Sequence, residues 1–92
     1  MTISEQLANV GSEVERVLRA QDAGNTGRLE HALDRALELF DLTATDPRWR
    51  GARRREILRA REELCARVYG AEPPPAEPMR RYYLAFAKLA RR

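Results

Sequence analysis

Residues 28–42 read RLEHALDRALELFDL. Leu29, Ala32, Leu33, Ala36, Leu37, Leu39 and Phe40 recur at three- and four-residue intervals, the period of an α-helix, and no β-branched residue interrupts them. On a helical wheel they sweep roughly 160°, the widest apolar arc in the chain, which predicts the central helix of a bundle. Glu30, Asp34, Glu38 and Asp41 run beside that arc as a single acidic stripe.

Three other segments share the helical period, and no alternating or β-branched run marks a strand. Upstream, residues 3–21 form a predicted helix opened by Thr2 and Glu5 at capping-box spacing. Its apolar residues Ile3, Leu7, Val10, Val14 and Val17 follow a 4-3-4-3 pattern and, with Leu18, cover only about 100° of the wheel. So narrow a seam predicts a peripheral helix that pairs with a second copy of the chain. Gly11 in its middle costs about 1 kcal/mol relative to Ala and predicts a close approach or a bend. The turn at residues 22–27 places Gly24 to end this helix and Asn25 or Thr26 to cap the next, expected over residues 28–42.

Downstream, Thr45-Asp46-Pro47 signals a helix start, and a short turn leads into a third helix over residues 52–69, ended by Gly70. Ile57, Leu58, Leu64, Cys65, Val68 and Tyr69 make its apolar face. The proline-rich connector, residues 71–78, is stiff and extended. A fourth helix over residues 79–90 lines one side with Met79, Tyr82, Tyr83, Phe86, Leu89 and Ala90, and Arg91 and Arg92 suit the negative end of its dipole. The expected fold is all-α: a compact three- to four-helix bundle in a single domain over residues 1–92, its core made by the second to fourth helices and completed by dimerisation.

At 43% hydrophobic and 34% charged, the chain is too apolar for a disordered tail and too charged for a membrane span. The first residues lack the basic and apolar regions of a secretory signal, so a cytoplasmic protein with no membrane partner is expected. Cys65, the one cysteine, excludes an intramolecular disulfide and reads as a small core residue. The net charge of +3 conceals a polarity: residues 1–46 sum to −5 and residues 47–92 to +8. Such halves can be matched within one chain, between chains or by an external anion.

Arg54 and Arg61 project from the apolar face of the third helix, where an unpaired guanidinium costs several kcal/mol to desolvate. Glu38 and Asp41 of the preceding helix are the expected charge partners. Arg48, Arg50, Arg53, Arg54, Arg55, Arg59 and Arg61 place seven guanidinium groups within fourteen residues around Trp49. That pattern fits a docking surface for an acidic protein, with nucleic-acid backbone binding through residues 48–61 as the alternative. The four carboxylates of the acidic stripe do not reproduce the Glu-x-x-His pairs of di-iron bundles, and His31, the only histidine, is expected to pair with Asp34 or Glu38 at the surface. No catalytic residue, cofactor or metal ligand is expected.

The stretch ALELFDLTATDPRWRGARRREILRAREELCARVYG (residues 36–70), together with RRYYLAFAKLARR (residues 80–92), resembles short helical bacterial proteins encoded near α-carboxysome genes and labelled bacterioferritin-like. That resemblance implies an accessory or scaffold-associated role, and its label implies a ferritin-like metal-binding half-bundle as a further alternative. The residues themselves point to a non-catalytic protein–protein interaction module with Trp49, Tyr82, Tyr83 and Phe86 as aromatic anchors.

Overall fold

A computed structural model describes residues 1–90 and contains four α-helices: α1 (Ile3–Asp22), α2 (Thr26–Ala44), α3 (Gly51–Tyr69) and α4 (Ala76–Ala90). Arg91 and Arg92, expected to complement the dipole of α4, lie outside the described residues.

Local chemistry accounts for the helix ends. The Thr2 hydroxyl accepts from the Glu5 N–H at 3.0 Å while the Glu5 carboxylate accepts from the Thr2 N–H at 3.1 Å, a reciprocal capping box. Gly24, at φ 67°, takes the left-handed turn that closes α1, and the Asn25 side chain caps α2 through the Arg28 N–H. Helix α4 begins at Ala76, earlier than expected. Pro78 then falls in the first turn, where backbone N–H groups have no intrahelical acceptor, so its missing donor costs nothing.

The packing order reverses the expectation for α1 and α3. Helix α1 is the centre of the bundle and packs against both α2 and α4, whereas α3 packs against α2 and barely touches α4. Leu7, Val10, Val14 and Val17 are buried within the single chain beside Leu18, Leu33, Ala36 and Phe40, and the half-buried Ile3 packs on the same cluster. The heptad seam is therefore intramolecular core and does not face a second copy. A narrow arc suffices because the partners are close: at Gly11 an added Cβ would lie 2.6 Å from the Tyr83 Cβ, so α4 approaches α1 at van der Waals range there. The Cα radius of gyration, 12.8 Å, is near the ~12 Å expected of a compact chain of this length.

Helix α3 is the peripheral element. Only Ile57 and Leu64 are fully buried, while Leu58 is 40% and Tyr69 74% exposed, contrary to the apolar face expected for them. Polar locks hold its two ends to α1. Below it, the Trp49 indole N–H donates to Gln6 Oε1 at 2.9 Å. Above, Gln21 Nε2 donates to the Arg67 carbonyl at 3.1 Å, and Arg67 Nε donates back to Gln21 Oε1 at 3.0 Å. Among the described residues no helix is long and apolar enough to cross a membrane.

Candidate functional site

Because α3 hangs from α2 and α4 from α1, the two helices diverge and leave a groove of about 720 Å³ between them. One wall is a stripe of α3 at helical spacing: Ala52, Arg55, Glu56, Arg59, Ala60 and Glu63. The other is built from the connector and α4, with Pro74, Pro75, Pro78, Met79, Tyr82 and Tyr83. Arg67 Nη1 donates to the Pro74 carbonyl at 3.1 Å and so holds the connector in place.

Aromatic side chains make the α4 wall rigid. Tyr82 contacts Tyr83 and Phe86 edge-to-face, with ring centroids 5.0 and 5.3 Å apart. The Tyr82 hydroxyl reaches across the groove and donates to Glu56 Oε1. Burial pushes the Tyr82 phenol well above the ordinary tyrosine range, and the adjacent Glu56 carboxylate adds to the shift. Burial raises the Tyr83 phenol in the same direction, reinforced by Glu63.

The arginine-rich segment divides into engaged and unengaged groups. Arg48 forms a salt bridge with Asp46 at 2.9 Å and donates to the Met1 carbonyl. The Arg48 guanidinium beside Asp46 holds that carboxyl well below the usual range, with the Arg48 backbone N–H and the Gln6 amide adding to the effect. Arg50 donates to the Pro47 carbonyl. Arg54 donates to the Ala44 carbonyl at 3.2 Å, so what it meets is the negative end of α2 and not Glu38. Arg61 Nε meets Asp41 Oδ1 at 3.0 Å, linking α3 to α2. Glu38 is exposed and takes no part in an ion pair among the described residues. Arg55 and Arg59 line the groove and make no ion pair among the described residues.

Two expectations for the aromatic and histidine residues need correction. Trp49 and Tyr83 are buried in the core cluster, so they are fixed in the fold and Trp49 is no surface anchor. His31 makes no hydrogen bond to Asp34 or Glu38 among the described residues; it lines a different groove, between α1 and α2. No three His, Cys, Asp or Glu side chains come together to hold a metal ion among the described residues. The role of Glu56 was illegible in sequence, since it depends on how closely α4 approaches α3. Pro74 and Pro75 read only as a connector for the same reason.

Comparison with protein-family models, curated proteins and solved structures returns no match.

Proposed function

We propose that the protein is a non-catalytic docking module whose α3–α4 groove receives an acidic amphipathic segment of another protein. The observation that carries this reading is the pairing of an apolar, aromatic wall with two unmatched guanidinium groups, Arg55 and Arg59, at the opposite rim. An amphipathic helix laid in such a groove buries its apolar face against the half-buried Tyr82 and the exposed Pro75 and Pro78 and sets its carboxylates against the arginine forks. Glu56 and Glu63 on the same stripe disfavour the alternative, nucleic acid, because an unbroken row of phosphates has to pass both carboxylates, whereas a helix can place its few carboxylates beside Arg55 and Arg59 alone. An accessory or scaffold-associated role of the kind implied by the carboxysome-linked resemblance agrees with a docking module.

The test is capture from native lysate after nuclease treatment, comparing the parent chain with an Arg55→Glu/Arg59→Glu variant. The expected result is a nuclease-resistant protein partner retained by the parent and lost by the variant, its binding segment rich in Asp and Glu. Bound material that disappears with nuclease, or whose affinity falls steeply from low to physiological salt, would support the nucleic-acid reading instead. A second copy of the chain, the dimer that sequence patterning suggested, is a separate outcome read by sedimentation.

A further inference from the structure

The groove between α1 and α2, about 940 Å³, gathers charge in a way that overall composition conceals. Residues 1–46 carry a net charge of −5 and only four bases, and all four, Arg16, Arg19, Arg28 and Arg35, line this one groove. A single carboxylate, Glu13, stands among them. Four guanidinium groups against one carboxylate leave a surplus of three positive charges along the lining, while Arg19 also reaches Glu15 at 3.2 Å.

Glu13 organises the cluster. Its side chain is only 7% exposed, and Oε1 lies 2.5 Å from Arg16 Nη1 and 3.7 Å from Arg35 Nε, so one carboxylate from α1 gathers an arginine from each helix. The two arginines stay 63% and 61% exposed. Each guanidinium has five N–H donors and commits few of them here, leaving planar forks open to solvent. Meanwhile Glu13 Oε2 is buried with no hydrogen-bond partner among the described residues, an arrangement that ordinarily costs about 1–3 kcal/mol. The cluster has donors without acceptors at its rim and an acceptor without a donor at its root.

We infer that this groove binds an organic diphosphate. Two adjacent phosphoryl groups carry close to the surplus of three charges and match the paired forks of Arg16 and Arg35 better than a single carboxylate does. The groove exceeds inorganic diphosphate in size and lies within the range of small-molecule sites, so it has room for an organic part, against Ala20 and Ala32. Because Glu13 already holds the two arginines together, less side-chain freedom is lost on binding. This site is independent of the α3–α4 groove.

Calorimetric titration of the full chain in 150 mM salt with inorganic pyrophosphate, ADP and AMP tests the inference. The two diphosphates should bind with dissociation constants below about 1 mM, and AMP at least about tenfold more weakly. Arg16→Gln should weaken diphosphate binding about tenfold or more. The Arg28 side chain makes no hydrogen bond or ion pair among the described residues, so Arg28→Gln keeps the fold intact and should weaken binding in the same direction. The control Arg55→Gln/Arg59→Gln should leave diphosphate affinity unchanged. Absence of binding at millimolar diphosphate would overturn the inference. So would full affinity in both Arg16→Gln and Arg28→Gln, or an equal loss in the Arg55/Arg59 control, which would mark non-specific attraction to a basic protein.

Discussion

At the scale of single residues, Gly11 shows how a position unfavourable to its own helix serves the packing of two. Alanine there gains about 1 kcal/mol of helix propensity, yet its Cβ would meet the Tyr83 Cβ at 2.6 Å, and a Cβ cannot swing aside as a chain end can. Overpacking of this kind costs about 1–3 kcal/mol, so Gly11→Ala should be net destabilising, seen as a lower urea midpoint at unchanged slope. Asp46 makes a complementary prediction about pH. Its carboxyl is held below the ordinary value by Arg48, so the folded state favours the ionised form. That contribution is present above the unfolded pKa of about 4 and is lost as pH falls below it. Asp46→Asn should therefore lower the melting temperature at pH 7 and show a smaller further drop between pH 5 and pH 3 than the parent chain.

At the scale of elements, the central lesson is the exchange of roles between α1 and α3. The all-helical class, the four segments and the cap Thr2 were legible because they depend on local period and local hydrogen bonds, and Asn25 was one of two candidates, with Thr26, for the cap of α2. Arc width misled for α1, because a helix flanked closely on both sides needs little apolar width when small residues such as Gly11 let a neighbour in. It misled for α3 in the opposite sense: Leu58 and Tyr69 lie on its apolar arc, but α2 covers only the strip around Ile57 and Leu64. Since Val14 is core, Val14→Asp should unfold the chain, with loss of the far-UV helical signal, and not simply dissociate an oligomer. Helix α3, with two fully buried side chains, should open below the global unfolding free energy; hydrogen exchange should show its amides less protected than those of α1.

At the scale of the whole molecule, the acidic and basic halves meet partly within one chain. Arg80 on α4 reaches Glu15 at 3.0 Å and Asp22 at 3.3 Å on α1, and Arg61 reaches Asp41. These carboxylates favour the charged form of Arg80, chiefly through the Glu15 bond. Partly exposed pairs contribute little, so Arg80→Gln should cost under about 1 kcal/mol, and the difference should shrink in 1 M salt. The candidate sites were less legible than the fold. Patterning marked the seven-arginine cluster but could not separate the groups consumed by backbone carbonyls, Arg50 and Arg54, from those left at a groove, Arg55 and Arg59. Nor could it place Arg16 and Arg35 on one carboxylate, because that convergence exists only once α1 and α2 lie side by side.

The chain holds one tryptophan, and its indole is sealed against Gln6 at the foot of α3. Nature has thus fitted a single fluorophore at the joint where the loosest helix meets the most tightly held one. Its emission, blue-shifted while the joint is closed, will redden as that helix swings free, giving an optical record of partial opening that circular dichroism, averaged over all four helices, would blur.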